Sequence, residues 1–201
     1  MEAFERRKQD ILSKKDKSFI GEWDSHIVRL CETINLKENY YTTSSCSGRI
    51  IIMIDQDKKA PGLFEFVSHE KVEFDNLKKE ISKIKEESKF KSKQNQRFSI
   101  CPNFKKFKQE PPILHVACKT LEDAENLLKK AQLAGWKRSG IISLGKNIVV
   151  ELISTEKIEF PLFKSGKLLV ENDFLKIVLE KANENLEKGW AKIEKLRKSL
   201  K

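Results

Sequence analysis

The sequence predicts a mixed α+β fold in which two related α/β halves pack around a shared sheet and a long helix closes the chain. Three observations point to this class. Apolar stripes at helical spacing alternate with short β-branched runs along the chain. A strand that leads through a histidine to a helix occurs twice, at His69 and at His115. No Gly-x-Gly-x-x-Gly sequence follows a strand, so a dinucleotide-binding Rossmann fold is not supported.

Three helices and two strands are predicted in the first half of the chain. Asp24 and Ser25 are candidates to cap the second helix, and Pro61-Gly62 marks a turn between the strands. The segment Lys89–Gln96 has few apolar residues and predicts a loop. The predicted elements are a helix over Phe4–Leu12, a helix carrying Ile27–Ile34, strands over Ile50–Ile54 and Leu63–His69, and a helix over Phe74–Phe90.

The second half alternates strands with two further helices. Thr120 and Asp123 predict the start of a helix that ends before Gly135. Pro161 restricts its strand to a sheet edge, because proline cannot donate to a strand pairing. The predicted elements are a strand over Ile113–Cys118, a helix over Thr120–Ala134, a hairpin of Ile141–Leu144 and Ile148–Ile153, a short strand over Glu159–Leu162, and a helix over Asn172–Leu200.

The length and composition are those of a single domain over residues 1–201. Apolar residues make up 39% of the chain and charged residues 35%, which is polar but too apolar for wholesale disorder. No apolar run is long enough to cross a membrane, and the charged opening Met1–Lys8 predicts no signal peptide. The 4 cysteines lack metal-ligand spacing, which predicts reduced thiols, no metal and a cytoplasmic protein.

The repeated order of elements suggests an internal duplication over about residues 22–90 and 110–165. In the first half a Ser/Gly-rich segment precedes a strand, and in the second half Arg138-Ser139-Gly140 does the same. A duplication of this kind predicts that the two strand entrances face each other across a cleft.

Positive charge is concentrated in one stretch of the chain. The formal net charge is +10. Between Leu77 and Gln109 ten lysines and one arginine stand against three glutamates, a net charge of +8. A concentrated positive field attracts a polyanion and releases its counterions, which favours a nucleic-acid partner. The alternative is a solvated lysine-rich loop.

The segment Thr42–Arg49 is the densest polar cluster beside a predicted buried strand. It holds five hydroxyls, a thiol, a glycine and an arginine. Gly48 allows a close backbone approach, and Arg49 can bind a carboxylate or a phosphate through two parallel hydrogen bonds. The cluster therefore predicts a binding site, with a Ser/Thr-rich turn and a salt-bridged arginine as the alternative.

Three side chains are candidates for proton transfer or covalent catalysis. His69 and His115 occupy equivalent places in the suspected repeat, and a histidine titrates near neutrality. Cys46 is a weak candidate nucleophile. A thiol phosphatase needs its arginine six residues after the cysteine, and position 52 is an isoleucine.

The string from Thr42 to Ile50 resembles the core motif of the wybutosine-synthesising tRNA(Phe) methyltransferase family. Weaker blocks resemble the same family in the same order along essentially the whole chain. These blocks are Gly21-Glu22-Trp23-Asp24, Val67-Ser68-His69, Leu114-His115-Val116, Arg138-Ser139-Gly140-Ile141, Ser154-Thr155 and Glu159-Phe160-Pro161-Leu162.

The resemblance implies a reaction and a set of roles. The enzyme would transfer a methyl group from S-adenosylmethionine to N4 of the tricyclic 4-demethylwyosine-type guanosine next to the anticodon of tRNA(Phe), on a sheet unlike that of Rossmann methyltransferases. Asp24, His69 and His115 become candidate catalytic groups, with His115 slightly favoured as proton acceptor. The candidate cofactor-binding residues are Ser44, Ser45, Cys46, Ser47, Gly48, Arg49, Arg138, Ser139 and Gly140.

The tRNA side of the predicted site consists of aromatic and basic residues. Tyr40, Tyr41 and Trp136 are candidates to stack the splayed base, with ordinary core packing as the alternative. Candidate contacts to the phosphates of the anticodon arm are Lys85, Lys91, Lys105 and Lys106. Two other functions remain open: a non-catalytic basic RNA-binding module, and a hydrolase built on Cys46.

Overall fold

The structure is a computed structural model that describes residues 3–13, 24–56, 62–94, 104–145 and 147–201. The side chain of Lys91, the Gly21–Trp23 part of the opening motif and Cys101 lie outside the described residues. Among the helices of the described part, none has a stretch both long and apolar enough to cross a bilayer.

The chain divides into two compact units that interleave in sequence. Unit 1 contains residues 1–48, 111–156 and 187–201, and unit 2 contains residues 49–110 and 157–186. The bounds of these units differ from those of the predicted duplication over 22–90 and 110–165, which remains a prediction.

Unit 1 is built on a four-stranded antiparallel sheet with the strand order β1-β5-β7-β6. These strands are β1 (Tyr40–Cys46), β5 (Ile113–Cys118), β6 (Gly140–Leu144) and β7 (Ile148–Ile153). Its helices are α1 (Ala3–Leu12), α2 (Val28–Asn35), α4 (Leu121–Leu133) and the last part of α5 (Asn172–Ser199).

One face of this sheet forms the hydrophobic core of unit 1. Leu114, Val116 and Cys118 alternate along β5 toward α2, α4 and the end of α5, as the two-residue period of a strand requires. Helix α4 starts where the sequence predicts, because Thr120 and Asp123 form a reciprocal capping box. The helix ends before Gly135, whose φ of +100° favours glycine.

Helix α5 approaches the start of β5 through a glycine. A Cβ at Gly189 would lie 2.7 Å from Cγ and 2.8 Å from Cδ of Pro112, within unit 1. Because a proline ring has little freedom to move aside, this contact requires a residue without a side chain.

Unit 2 is built on a five-stranded antiparallel sheet with the order β3-β2-β4-β8-β9. The strands are β2 (Arg49–Ile54), β3 (Phe64–Ser68), β4 (Phe104–Glu110), β8 (Ile158–Lys164) and β9 (Lys167–Leu168), and the helices are α3 (Phe74–Gln94) and the first part of α5. Phe107 is fully buried, and buried Gln109 accepts a hydrogen bond from Asn185 of α5 at 2.8 Å.

The predicted class and the long last helix are confirmed, and several details are corrected. The strands form two separate sheets and not one shared sheet. The Thr42–Arg49 cluster is mostly strand, since β1 extends to Cys46. The predicted loop at Lys89 is helical to Gln94, and strand β4 was not predicted.

The strand that contains Pro161 is not at the sheet edge. Strand β8 pairs with β4 on one side and with β9 on the other. However, β9 pairs only with Phe163 and Lys164, so Pro161 lies outside that short pairing and the sheet tolerates it.

Candidate active site

Four residues form a continuous row across the sheet of unit 1. Ser44 on β1 lies opposite His115 on β5, His115 lies opposite Glu151 on β7, and Glu151 lies opposite Gly140 on β6. Directly opposed residues of antiparallel strands lie side by side on one sheet face. The pairing therefore places a hydroxyl, an imidazole and a carboxylate next to one another.

Hydrogen bonds join the three side chains of this row. Ser44 Oγ lies 2.9 Å from His115 Nδ1, and His115 Nε2 lies 2.9 Å from Glu151 Oε2. An ionised carboxylate can only accept, so Nε2 carries the hydrogen of the neutral imidazole. Nδ1 then has the lone pair and accepts from the Ser44 hydroxyl. Ser44 is exposed, and the His115 and Glu151 side chains are 28% and 31% exposed.

An irregularity in β1 brings Ser44 to this position. The register between β1 and β5 shifts between Thr42 and Ser44, so one extra residue, Thr43, is accommodated there. Without that shift, Thr43 would lie opposite His115. Bulges of this kind change the direction of a side chain, and both Thr43 and Ser44 are exposed.

The end of β1 is held by Asp24. One oxygen of its carboxylate accepts the backbone N–H of Ser47 at 2.8 Å, and the other accepts that of His26 at 3.2 Å. Ser47 is fully buried, and its hydroxyl has no hydrogen-bond partner among the described residues. Gly48 has a φ of +99°, which favours glycine and turns the chain out of β1.

An aromatic pair that the sequence did not reveal also belongs to unit 1. The rings of His26 and Trp190 stack with centroids 3.8 Å apart and an interplanar angle of 5°. Both residues are half-buried, and the buried indole Nε1 of Trp190 has no hydrogen-bond partner among the described residues.

Comparison with known proteins shows the family. The family model described as Methyltransferase TYW3 matches residues 6–201. The chain belongs to the TYW3 methyltransferase family. The predicted family and the predicted enzyme class are therefore confirmed.

Individual relatives of the TYW3 family match over most of the chain. A protein of Archaeoglobus fulgidus named tRNA(Phe) 7-((3-amino-3-carboxypropyl)-4-demethylwyosine(37)-N(4))-methyltransferase is 38% identical over 180 residues, which cover 88% of this chain and 82% of the relative. A Xenopus laevis protein named tRNA wybutosine-synthesizing protein 3 homolog is 34% identical and covers 99% of this chain and 75% of the relative. The solved structure of PH1069 from Pyrococcus horikoshii has a TM-score of 0.81 at 32% identity, covering 98% and 96% of the two chains.

The second motif of the predicted cofactor site has a mainly structural arrangement in this TYW3 protein. Ser139 Oγ donates to the Trp136 carbonyl at 2.8 Å and accepts the Ile153 N–H at 3.2 Å. Arg138 is exposed. Gly140 ends the row beside Glu151, and a Cβ there would meet nothing within 4 Å. Packing therefore leaves open space at this end of the row.

The aromatic residues predicted to stack the base are core residues in this structure. Trp136 is fully buried and its indole donates to the Lys192 carbonyl at 3.2 Å. Tyr41 is 2% exposed and packs on Phe4, with ring centroids 5.1 Å apart. Half-buried Tyr40 donates to the Asp123 carbonyl at 3.0 Å. The arrangement corresponds to the core alternative that the sequence left open.

The cysteines of unit 1 differ in their surroundings. Burial raises the pKa of both Cys31 and Cys118 to about 12, which keeps these thiols protonated and unreactive. Cys46 is half-buried and lies opposite Ile113 in the strand pairing. Among the described residues, these three cysteines form no disulfide.

In unit 2 the predicted binding residues lie among opposite charges. Arg49 Nε lies 2.7 Å from Glu110 Oε2, and its guanidinium lies 5.0 Å above the centre of the Phe64 ring. Lys105 Nζ lies 2.6 Å from Glu65. His69 follows β3 in this unit and is half-buried.

A chain of ion pairs runs across β2, β4 and β8. Lys108 lies 3.2 Å from Glu110, and Lys106 lies 2.6 Å from Asp55 and 3.2 Å from Glu159. We call this set the ion-pair ladder; it contains Arg49, Asp55, Lys106, Lys108, Glu110 and Glu159. Three cations thus face three anions, and Lys157 adds a fourth cation 2.6 Å from Glu159. Of the other predicted phosphate contacts, Lys85 is exposed on α3.

Glu151 is the member of the row that the sequence analysis missed. It is the one charged residue within the otherwise apolar run Ile148–Ile153. A carboxylate in such a strand needs a partner, and that signal points to His115 once the two strands are paired.

Proposed function

We propose that this protein transfers a methyl group from S-adenosylmethionine to N4 of a 4-demethylwyosine-type nucleoside next to the anticodon of tRNA(Phe), in wybutosine biosynthesis. Membership of the TYW3 family and the names of the relatives support this substrate. The observation that carries the proposal is the row Ser44–His115–Glu151, which presents a hydrogen-bonded base on an accessible sheet face.

The residues of unit 1 fit a methyl donor with an amino-acid end. S-adenosylmethionine supplies, when bound, a methyl group on a positively charged sulfur. The Asp24 carboxylate, which accepts the backbone N–H groups of Ser47 and His26, is an acceptor of the kind that suits an ammonium or a ribose hydroxyl. The buried Ser47 hydroxyl has unused hydrogen-bonding capacity among the described residues.

Alignment and proton removal are the chemistry that this chain contributes. The acceptor nitrogen must lose its proton as it gains the methyl group, and a histidine hydrogen-bonded to a carboxylate is suited to receive that proton. Holding donor and acceptor in one geometry removes much of the entropic barrier. Arg49 and its neighbours remain candidates for binding the carboxylate of the donor.

The proposal is tested by single-turnover methylation. Purified protein is incubated with S-adenosylmethionine and tRNA(Phe) carrying the 4-demethylwyosine-type nucleoside, and the nucleosides are analysed by mass spectrometry. We expect one added methyl group, and none on tRNA(Phe) with an unmodified guanosine at that position. His115→Asn should lower the methylation rate by about 10²- to 10⁴-fold.

Binding measurements separate an enzyme from a non-catalytic RNA-binding module. Calorimetric titration should detect S-adenosylmethionine binding to the wild-type protein and to His115→Asn alike. If neither methylation nor cofactor binding occurs, with or without tRNA, the proposed function is rejected.

A further inference from the structure

We infer that Ser44, His115 and Glu151 form a proton relay, in which the Ser44 hydroxyl receives the proton of the acceptor nitrogen and Glu151 positions the imidazole. This inference rests on the proposed function and assigns parts of its mechanism to two residues. Ser44 becomes a catalytic residue that contacts the substrate, and Glu151 a positioning residue that acts through His115.

The route of the proton follows from the contacts of His115. Both ring nitrogens are engaged within the protein, Nδ1 with Ser44 Oγ and Nε2 with Glu151 Oε2, each at 2.9 Å. An outside N–H group therefore has no unoccupied ring nitrogen to reach. Ser44 is the most exposed member of the row, and the register shift in β1 places its hydroxyl opposite His115. A proton from the substrate enters the row at that oxygen.

The direction of transfer is fixed by the carboxylate. Because Glu151 can only accept while ionised, it keeps the hydrogen of the neutral ring on Nε2 and the lone pair on Nδ1. The Ser44 hydroxyl can then pass its own proton to Nδ1 while its oxygen takes one from the substrate. Carboxylates that orient a catalytic imidazole in this way occur on unrelated folds.

Atoms and charges balance along this route. The acceptor nitrogen forms a bond to the methyl carbon, whose bond to sulfur breaks, and the N–H bond of the acceptor breaks as well. The proton ends on His115 Nδ1, and Ser44 regains a hydroxyl. The positive charge lost from sulfur reappears on the imidazolium, which then has a charge-assisted hydrogen bond to Glu151.

A purely structural role is the competing explanation of the row. Cross-strand pairs stabilise a sheet by about 0.2–1 kcal/mol each. Stabilisation of the sheet alone could therefore account for a Ser–His–Glu row. The two explanations predict different results when one member of the row is replaced. The relay predicts a change in the position of the His115 ring hydrogen and in the methylation rate, and a structural role predicts neither.

The first test reads the position of the ring hydrogen by long-range ¹H–¹⁵N NMR of the histidine side chains, without any ligand. Wild-type His115 should carry its hydrogen on Nε2. Glu151→Ala should lose this preference, whereas the His26 and His69 signals serve as internal controls and should not move. An unchanged His115 pattern in Glu151→Ala would overturn the positioning role.

The second test separates turnover from binding. Ser44→Ala and Glu151→Ala should each lower kcat by about 10- to 100-fold while KM for tRNA stays within about twofold. Ser44→Thr, which keeps a hydroxyl, and Glu151→Asp should recover part of the loss. If Ser44→Ala had the kcat and the melting temperature of the wild-type protein, Ser44 would not take part in the proton transfer. Absence of methylation by the wild-type protein would reject the proposed function instead, and the NMR result would stand independently.

Discussion

The two sheets of this protein carry polar side chains in different ways. In the sheet of unit 1 the hydrogen bonds run in one line from Glu151 through His115 to the exposed hydroxyl of Ser44. In unit 2 the charges of the ion-pair ladder are paired with one another on and beside the sheet. The first arrangement ends at a group that can exchange a proton with a ligand, whereas the second uses its charges to hold strands together.

The pKa values of the ladder residues are consistent with charges that hold strands together. The hydrogen bond that the Lys106 ammonium donates to the Asp55 carboxylate is the main cause that raises the pKa of Lys106. Burial works to raise the pKa of Glu110, but Arg49 and Lys108 outweigh it and lower that pKa. Both shifts favour the charged forms, so the ladder stays ionised around pH 7 and each of its lysines has a carboxylate partner. The number of lysines in β4 therefore overstates the positive electrostatic potential that this strand presents to RNA.

The largest effect is expected at Arg49, the member of the ion-pair ladder that the sequence predicts to bind the cofactor. If Arg49 also binds the carboxylate of S-adenosylmethionine, Arg49→Ala should weaken cofactor binding by about 10- to 100-fold, the value of a charge-assisted hydrogen bond. Glu110→Gln is the matched control, because it removes the ion pair and leaves the arginine. Calorimetric titration of both variants measures the difference. Equal and unchanged affinities would mean that Arg49 serves the ladder alone.

Unit 1 contains an ion pair between α5 and the segment after β7, which allows a comparison with the ladder. Lys192 on α5 binds Glu156 and donates to Ser154 Oγ at 2.9 Å. Burial works to raise the pKa of Glu156, but hydrogen bonds from Lys192 and Ser154 outweigh it and lower the pKa to about 2. A carboxyl whose pKa is lowered by folding stabilises the protein above its unfolded pKa. That contribution is lost as the pH falls from about 4.5 through about 2.

Removing this pair should therefore destabilise the protein at neutral pH. Lys192→Met should lower the free energy of unfolding at pH 7 by about 1–2 kcal/mol after solvent screening, and flatten its decline between about pH 5 and 2. Urea unfolding at several pH values measures both. The exposed Lys195→Met on the same helix is the control. Parallel pH profiles for wild type and Lys192→Met would contradict the assignment.

A smaller effect is expected from the lysines proposed to contact tRNA. Lys85 is exposed, whereas Lys106 is paired within the ladder. Lys85→Ala should weaken tRNA binding a few-fold and reduce the slope of log K against log salt by about 1, as for one phosphate contact. Lys106→Ala should leave that slope unchanged. Filter binding over a salt series measures both, and equal slope changes would show that the ladder does not neutralise its lysines toward RNA.

The smallest effect is expected at Cys46. Cys46→Ser should keep the methylation rate within about twofold, because the proposed transfer has no covalent enzyme intermediate. The single-turnover assay of the wild type is the reference. Complete loss of methylation in a folded Cys46→Ser protein would move the chemistry from His115 to the thiol.

Sequence periodicity was sufficient for most elements of unit 1, but not for strand β1, which is rich in serine and threonine and was not predicted. Strands β5 and β7 are runs of apolar residues, and Thr120 with Asp123 marks the start of α4 from local chemistry alone. Strand β4 was missed because it carries three lysines and lacks an apolar run. Its strand conformation depends on partners distant in sequence, Asp55, Glu65 and Glu159.

The candidate site was predictable by residue type but not by arrangement. Ser44 and His115 were among the predicted residues, while Glu151 was not, because only the register between β5 and β7 brings it to His115. The register shift in β1 that selects Ser44 over Thr43 leaves no periodic signal in the sequence. Trp136 shows the reverse case, in which a promising aromatic is required by the core.

The contact between Gly189 and Pro112 has a consequence for protein engineering. Alanine stabilises a helix interior by about 1 kcal/mol relative to glycine. A design based on helix propensity would therefore replace Gly189 with alanine first. Here the added methyl group would fall 2.7 Å from a rigid ring, and overpacking of that kind costs about 1–3 kcal/mol. A substitution chosen to strengthen the last helix would instead push it away from the strand that carries the imidazole.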